Sequence, residues 1–365
     1  MLATTPAPSS PAPPRAALLI ALAVVGCHPG PPPSPRVSPD ARAQVIAAAT
    51  ATPQTTSVVV LIDGAVAIEH YAPGVDAGTL HDTRSVGKTI TALAVGAAIG
   101  RGAIADVDAS VLAAWPAAPA GTTTGMRYRD LLTMRSALAC DDGDPASPGN
   151  EDRMHEQRAW TAWALALPRR PGPDAPDAPL RYCTANAFLL GQAVARQVGA
   201  PFDAFVDEAL FAPLGIRDRA WMRSPAGEVM TGGGLRLRTR DLATLGELIR
   251  RRGAWGGRAL VPAAFLDDAT TVHTSAGHGR DYGYLMWHYA FPSRCGTAPA
   301  WFMAGNGGSV VAVLDRAPVV VAITRTAYND GGAADQTIAL VGAIVDAIGC
   351  AGAAPGPPTL TSATR

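Results

Sequence analysis

The sequence has 365 residues, with 30 basic and 30 acidic side chains and a formal net charge of zero. No basic stripe runs along it, so it lacks the electrostatic footprint that binding to a nucleic acid requires. Outside the N-terminus, no uninterrupted apolar run approaches the roughly 18 residues of a membrane-spanning helix. The length suits one large domain, or a domain with a big insertion, and leaves ample chain to bury a core.

The N-terminal stretch has the pattern of an export signal. Arg15 precedes a short apolar run, residues 16–26, which ends at Cys27. This run is typical of the apolar region of a signal peptide, and the junction before Cys27 resembles the processing site of bacterial lipoproteins. We therefore expect residues 1–26 to be a lipoprotein-type signal peptide and Cys27 to carry a lipid at the cell envelope. The alternative is an ordinary secretion signal with an incidental cysteine.

The segments on either side of the predicted domain are rich in proline and alanine. Residues 27–50 are predicted to form a tether and lead-in, stiffened by proline. The folded domain is placed at residues 51–350, and residues 351–365 are predicted to be a disordered tail. Contact with a membrane is then expected only through the lipid anchor.

The domain begins with two apolar runs, residues 57–62 and 65–71, joined by Asp63-Gly64, which predicts a two-residue β-hairpin. A helix over residues 90–99 follows and ends at Gly100. Helical patterns then dominate, over 128–136, 151–167, 186–198, 202–210 and 240–252. Strand patterns return late, over 282–289, 301–304, 309–314 and 319–325, before a final amphipathic helix over 333–348.

Strands thus occur at both ends of the chain and helices fill the middle. This order predicts an α/β fold of the α+β type, with one antiparallel sheet built from both chain ends and flanked by helices. The mostly helical insertion is placed at about residues 105–235. No internal repeat is visible in the sequence.

Four cysteines remain if Cys27 is lipidated, an even number that permits two disulfides in an exported protein. Three pairings are possible. We favour Cys140–Cys183 with Cys295–Cys350, because each bond then stays within one predicted region. The alternative for each pair is two free, buried thiols.

Lys88 is the only lysine in the sequence and stands three residues after Ser85, where an apolar helix begins. Residues three apart share a helix face, so the hydroxyl and the amine would project into the same space. Arginine is permanently charged, whereas a desolvated lysine can lose its proton and act as a base. Ser85 at a helix N-terminus would also have free backbone N–H groups beside it. The pattern predicts a catalytic serine–lysine pair, with a solvated lysine as the alternative.

Two later segments could complete such a site. Tyr182 lies on a loop before a helix, where a tyrosine near a lysine can exchange protons with a serine; its alternative role is half-buried packing. A glycine-rich turn between two apolar strands lets a substrate backbone approach and offers N–H donors to an oxyanion; otherwise it is only a tight turn. That turn has the sequence Gly305-Asn306-Gly307-Gly308.

The order of Ser-x-x-Lys, a tyrosine and a Gly-rich strand turn resembles the serine β-lactamase and penicillin-binding-protein superfamily, and more closely its class C β-lactamase-related serine hydrolases. The resemblance covers about residues 57–348. Besides the segments above, it includes Leu131-Leu132-Thr133-Met134-Arg135-Ser136, Pro213-Leu214-Gly215-Ile216, Gly232-Gly233-Gly234-Leu235 and Gly191, nine residues after Tyr182.

The resemblance implies that Ser85 is the acylated nucleophile, Lys88 its proton acceptor and Tyr182 the general base or acid. It further implies an oxyanion hole formed by backbone N–H groups of Ser85 and of a residue near Gly308. Asn306, Gly307 and Thr184 are expected to border the substrate.

Two positions depart from the family pattern. Thr184 stands where many members have asparagine, two residues after the tyrosine, and Gly305 stands where β-lactamases and D,D-peptidases carry Lys or His. The missing cation puts β-lactamase and D,D-carboxypeptidase activity in doubt and favours the esterase and amidase members. Arg325 on the neighbouring strand could replace that cation; its alternative role is a solvated strand end.

The sequence therefore predicts an exported serine hydrolase that cleaves small esters or amides through an acyl-enzyme. The alternatives are a β-lactamase, a D,D-carboxypeptidase or D-aminopeptidase, and a catalytically weak penicillin-recognising binding module. We expect no cofactor and no metal, since the histidines lack the paired spacing of a metal site. The run Asp141-Asp142-Gly143-Asp144 lacks the terminal glutamate of a calcium loop and is predicted to be an acidic turn, on the rim of the cleft.

Overall fold

The computed structural model describes Met1 and residues 37–117, 125–170 and 179–350. The predicted signal peptide beyond Met1, the lipidated Cys27 and the predicted tail lie outside the described residues, and they stay predictions.

The secondary structure alternates a few long elements with many short ones. In chain order the strands are β1 Thr55–Ile62, β2 Ala65–Tyr71, β3 His81–Asp82, β4 Ala220–Trp221, β5 Leu235–Leu237, β6 Ala254–Trp255, β7 Arg258–Ala259, β8 Thr274–Gly277, β9 Arg280–Tyr282, β10 Trp287–Ser293, β11 Gly296–Gly305, β12 Ser309–Leu314 and β13 Val319–Arg325. The helices are α1 Pro39–Ala51, α2 Val86–Gly100, α3 Tyr128–Leu132, α4 Glu151–His155, α5 Trp160–Leu165, α6 Thr184–Val198, α7 Phe202–Val206, α8 Ala212–Leu214, α9 Thr239–Arg250, α10 Ala263–Ala269 and α11 Ala333–Ala347.

One eight-stranded antiparallel sheet carries the fold, in the order β2-β1-β13-β12-β11-β10-β9-β8. The two chain ends meet in its middle, where Val58 of β1 pairs with Ile323 of β13. The β1–β2 turn is made by Asp63 and Gly64, both with positive φ, as the Asp-Gly dipeptide predicts. The predicted sheet from both chain ends, flanked by helices, is confirmed.

The two faces of the sheet are covered by different helices. α1 and α11 pack on one face, where Val45 of α1 and Val341 of α11 are part of the core. α2 and α9 cover the other face and join the core of the helical region. α2 itself is buried over most of its length, from Val86 to Ala98. This burial explains why the sequence of α2 has apolar residues on all sides of the helix.

The folded part of the chain begins earlier than the sequence analysis expected. α1 starts at Pro39, inside the range 27–50 that was predicted to be a tether and lead-in, and the Ser38 hydroxyl accepts a hydrogen bond from the Ala41 N–H at its start. Val45 is fully buried against α11 and β1. The sequence does not predict α1, because this alanine-rich stretch has few large apolar side chains and their spacing shows only a weak helical periodicity.

The region between β3 and β5 is mostly helical, as predicted, but its helices are shorter than the sequence suggested. The predicted helix over 151–167 is two helices, α4 and α5, and the one over 128–136 ends at Leu132. Met134 has a φ of 56°, which a continuing helix does not allow. Within the described residues, no helix is long and apolar enough to cross a membrane.

Two disulfides are present, in the pairing that the sequence analysis favoured. Cys140 is joined to Cys183 and Cys295 to Cys350, with Cα–Cα distances of 5.6 and 6.0 Å. The first bond ties the loop before α4 to the residue that precedes α6. It therefore fixes the segment that carries Tyr182.

Candidate active site

The serine–lysine pair lies at the start of α2. Ser85 is the residue just before the helix, and Lys88 Nζ lies 2.9 Å from Ser85 Oγ. The side chain of Lys88 is almost completely enclosed, since the residue is 1% exposed. Arg84, just before the serine, has a φ of 48°, a conformation that costs energy for a residue with a side chain and that occurs most often at functional sites. The three-residue spacing thus places both groups in one enclosed space.

The charges around Lys88 decide its protonation. Burial by itself lowers the pKa of Lys88, but the electrostatic effect of Tyr182, Glu151 and Asp142 outweighs burial, so the pKa is raised above its ordinary value. At neutral pH Lys88 is therefore an ammonium that donates a hydrogen bond to the Ser85 oxygen. Desolvation, the one effect that the sequence suggests for this lysine, acts in the opposite direction, because it lowers the pKa of Lys88.

Tyr182 lies over the lysine. Lys88 Nζ is 5.0 Å from the centre of the Tyr182 ring, and that ring stacks on Trp287 with 5.6 Å between centroids. Tyr282 packs edge-on against Trp287 at 4.7 Å. Sequence reasoning missed Trp287, because only the long-range fold brings the start of β10 to the loop before α6. The three predicted residues Ser85, Lys88 and Tyr182 are thus brought together, with an aromatic wall behind the tyrosine.

Thr184 reaches the site only through another residue. It is completely buried at the start of α6, and its backbone N–H and its hydroxyl both donate to Asp142 Oδ2, each at 2.7 Å. Asp142 lines the same cavity as Ser85 and Tyr182. The pKa of Asp142 is raised above its ordinary value, because burial outweighs the opposing charge of Lys88 and the hydrogen bonds from Thr184. The predicted acidic turn therefore places a carboxylate inside the cleft.

The glycine-rich turn between β11 and β12 borders the serine from the other side. Gly305 lies against the chain just before Ser85, and a Cβ atom on it would be 2.4 Å from the Thr83 carbonyl oxygen. The Gly308 N–H already donates to the Gly305 carbonyl, at 3.1 Å, so this N–H is engaged within the turn. The Asn306 amide N–H donates to Asn329 Oδ1 at 2.7 Å and so supports the turn, and Asn306 also lines the cavity.

Arg325 is neither a solvated strand end nor a cation of the cleft. It is 1% exposed, and its guanidinium donates to the carbonyl oxygens of Pro53 and Ala333 and to the hydroxyl of Thr337. Its Nη1 lies 2.6 Å from the place that a Cβ on Gly308 would occupy. Arg325 therefore supports the turn from beneath, and both roles weighed for it from the sequence are wrong.

The cavity over Ser85 has a volume of about 420 Å³ and a mixed lining. Its charged side chains are Asp142, Glu151 and Asp330 on the acidic side and Arg280, from β9, as a cation. An apolar part, which includes Phe302 and Ile338, extends past the turn to α11. No sequence signal pointed to Arg280, because β9 is a strand of only three residues. Among the described residues, no group of three or more His, Cys, Asp or Glu is arranged to hold a metal ion.

Comparison with known proteins gives the same fold. The 6-aminohexanoate-dimer hydrolase of Paenarthrobacter ureafaciens is 25% identical over 271 residues, which are 70% of this chain and 66%, just under two thirds, of that protein. A penicillin-binding protein homologue from Caulobacter crescentus superimposes with a TM-score of 0.66 at 17% identity, over 84% of this chain and 98% of its own. A D-stereospecific amidohydrolase from Streptomyces sp. superimposes with a TM-score of 0.62 at 18% identity, over 83% of this chain and 97% of its own.

The chain also matches a family as a whole. Residues 43–343 match the Beta-lactamase family, a range that includes Ser85, Lys88, Tyr182 and the glycine-rich turn. This range covers the sheet from β1 to β13 and most of α11. The chain therefore belongs to the Beta-lactamase family.

Proposed function

We propose that the protein hydrolyses small esters or amides through an acyl-enzyme on Ser85. The observation that carries this proposal is the 2.9 Å contact between Ser85 Oγ and Lys88 Nζ beneath the ring of Tyr182. A serine hydroxyl is a weak nucleophile unless neighbouring groups take its proton. We assign this role to Tyr182, whose ring lies over the Lys88 ammonium.

The reaction then runs in two balanced steps. Ser85 Oγ attacks the substrate carbonyl carbon and gives its proton to the Tyr182 oxygen, which acts as a phenolate beside the Lys88 ammonium; Tyr182 then gives this proton to the departing alcohol or amine. Water then attacks the acyl-enzyme, gives its proton to Tyr182, and Ser85 leaves with a proton as the acid is released. The Ser85 N–H and an N–H of the turn near Gly308 stabilise the oxyanion. Because the Gly308 N–H is engaged, the donor on the turn is assigned to Asn306 or Gly307.

Two features support an ester or amide rather than a β-lactam as the substrate. Gly305 has no room for the side chain of a carboxylate-binding lysine or histidine, since the Thr83 carbonyl fills that space. Relatives of this chain include the 6-aminohexanoate-dimer hydrolase, whose name indicates an amide substrate. The apolar part of the cavity suits a hydrocarbon group on such a substrate.

A second candidate function, β-lactamase or D,D-carboxypeptidase activity, is favoured by one observation. Arg280 lines the cavity, and its side chain is a cation, like the lysine or histidine that is missing from the turn. A guanidinium there could receive a substrate carboxylate. The two candidate functions therefore differ in whether catalysis depends on Arg280.

We further propose that the protein is exported and anchored at the cell envelope through a lipid on Cys27. The sequence before Cys27 supports this proposal, and so do the two disulfides of the folded domain, since disulfides persist in oxidising compartments. The lipid would be the only contact with the membrane that the proposal requires.

The proposed reaction is tested by intact-mass analysis after exposure to an activated ester, a fluorophosphonate and a penicillin. The expected result is a covalent adduct with the ester and the fluorophosphonate in the wild type and none in Ser85→Ala. Adducts of equal yield in Ser85→Ala would place the nucleophile elsewhere. A long-lived adduct with penicillin and no ester turnover would instead indicate the binding module.

A further inference from the structure

Three hydrogen-bond donors hold the carboxylate of the loop residue Asp142 in the cavity. Its Oδ2 accepts the N–H and the hydroxyl of Thr184, both at 2.7 Å, and its Oδ1 accepts the N–H of Glu151 at 3.0 Å. Three donors on one carboxylate stabilise its charged form. They also fix its direction, because two of them are backbone groups at the starts of α6 and α4.

The backbone of Asp142 is tied to the catalytic tyrosine as well. The Asp142 N–H donates to the carbonyl oxygen of Tyr182 at 2.8 Å. The Cys140–Cys183 disulfide closes the same pair of segments, two residues before Asp142 and one residue after Tyr182. Asp142 and Tyr182 are therefore held as one unit on the wall of the cavity.

Three groups from three segments act on the Lys88 ammonium: Tyr182, Glu151 and Asp142. They differ in how firmly they are held. The Glu151 side chain is 35% exposed and lies 3.9 Å from His155, so solvent screens its charge. Asp142 is half-buried too, but three hydrogen bonds anchor its carboxylate, and its interaction with Lys88 is felt by both groups. Asp142 is thus the fixed negative charge opposite the lysine.

We propose that Asp142 is a positioning residue of this site: three donors anchor its carboxylate in the cavity that Ser85 lines, and its backbone holds Tyr182 over Lys88. This role explains the departure at Thr184. Where many family members carry an asparagine, this chain has a threonine that does not enter the cavity but orients a carboxylate from another loop. The inference concerns the site of the proposed function, but its test does not require turnover.

The single lysine makes a direct test possible. Labelling the protein with ¹³C,¹⁵N-lysine gives one side-chain signal, that of Lys88, whose chemical shift follows its protonation. In the wild type we expect the signal to titrate above the ordinary range of a lysine. Asp142→Asn removes a negative charge beside the ammonium, so the titration should move to lower pH. Asp142→Glu, which restores the charge, should move it back toward the wild type.

Asp141→Asn is the matched control, because Asp141 pairs with Arg181 on the neighbouring surface and does not line the cavity. Its Lys88 signal should titrate as in the wild type. Equal midpoints in Asp142→Asn, Asp141→Asn and the wild type would overturn the proposal, and circular dichroism shows whether each variant is folded.

A further variant keeps the proposal open to refutation if Asp142→Asn does not fold. Glu151→Gln should lower the Lys88 titration without abolishing its elevation, because Tyr182 and Asp142 also raise the pKa of Lys88. If Glu151→Gln alone removes that elevation, the fixed charge belongs to Glu151 and the role assigned to Asp142 is wrong. Because the signal is read without substrate, failure of the proposed ester or amide hydrolysis would not affect either result.

Discussion

The Thr83 carbonyl oxygen lies 2.4 Å from the position that a Cβ atom on Gly305 would occupy. The segment before the nucleophile therefore lies directly against the end of β11, and this close approach sets the distance between Ser85 and the glycine-rich turn. Gly305 is therefore a glycine of close approach, and a lysine there cannot restore a carboxylate-binding cation.

We expect Gly305→Ala to lower the free energy of unfolding by about 1–3 kcal/mol, the usual cost of overpacking, and to reduce ester hydrolysis. Chemical denaturation and kcat/KM measure the two effects. Gly331→Ala is the control, because a Cβ there meets nothing within 4 Å and the residue has no positive φ. Improved β-lactam acylation in Gly305→Lys would contradict this account of the turn.

Lys88→Arg should be nearly as inactive as Lys88→Ala. The ammonium is 1% exposed and lies 2.9 Å from Ser85 Oγ, and the longer, planar guanidinium of an arginine cannot reproduce this geometry. We expect kcat/KM for a nitrophenyl ester to fall by roughly 10²–10⁴-fold in both variants, the range of general acid–base catalysis. Lys88→Arg with most of its activity would show that a positive charge is all the site needs.

Nitrophenyl esters should be hydrolysed faster than cephalosporins or D-Ala-D-Ala peptides. Without the usual cation on the turn, a substrate carboxylate loses a charge-assisted hydrogen bond of about 1.5–3 kcal/mol, or roughly ten- to a hundredfold in kcat/KM. The comparison uses a nitrophenyl ester and a chromogenic cephalosporin on one enzyme preparation.

Arg280→Gln tests whether another cation has taken over this role. We expect the remaining cephalosporin turnover to fall while ester turnover is unchanged, because only the cephalosporin carries a carboxylate. Arg217→Gln, an exposed arginine that does not line the cavity, serves as the control. Equal losses for both substrates in Arg280→Gln would assign that arginine a structural role.

The two disulfides should differ in their effect on catalysis but not in their effect on stability. They close loops of 43 and 55 residues, so removing either is expected to cost about 2–5 kcal/mol. Replacing Cys140 and Cys183 by serine should also lower kcat, because Tyr182 and Asp142 adjoin that bond. The Cys295 and Cys350 double variant should keep its kcat at a temperature where both variants are folded. A larger loss of kcat in the second variant would contradict this expectation.

Cys27→Ser should release the protein from membranes into the soluble envelope fraction or the medium without changing its rate constants. The lipid would be the sole anchor, and the folded domain begins well after it, at α1. Fractionation followed by immunoblotting measures the distribution. Membrane association that is unchanged in Cys27→Ser would favour a plain secretion signal or a different anchor.

Local spacing in the sequence determined the parts of this protein that depend on neighbouring residues. The Ser85–Lys88 contact follows from helix geometry, the turn at Asp63-Gly64 from backbone sterics, and the buried strands β12 and β13 from their continuous apolar runs. The order of these elements was enough to predict an antiparallel sheet built from both chain ends.

Only the tertiary structure decided what surrounds the reactive pair. Asp142 contacts Thr184, which is 42 residues away in the chain, and Trp287 contacts Tyr182, which is more than 100 residues away. No local sequence pattern predicts either contact. For the same reason Arg325 was assigned to the surface or the cleft, although carbonyl oxygens from Pro53 and Ala333 enclose it. A pKa depends on all charges within a few ångströms, so the ammonium state of Lys88 follows from the folded arrangement of Tyr182, Glu151 and Asp142 and not from the Ser-x-x-Lys spacing.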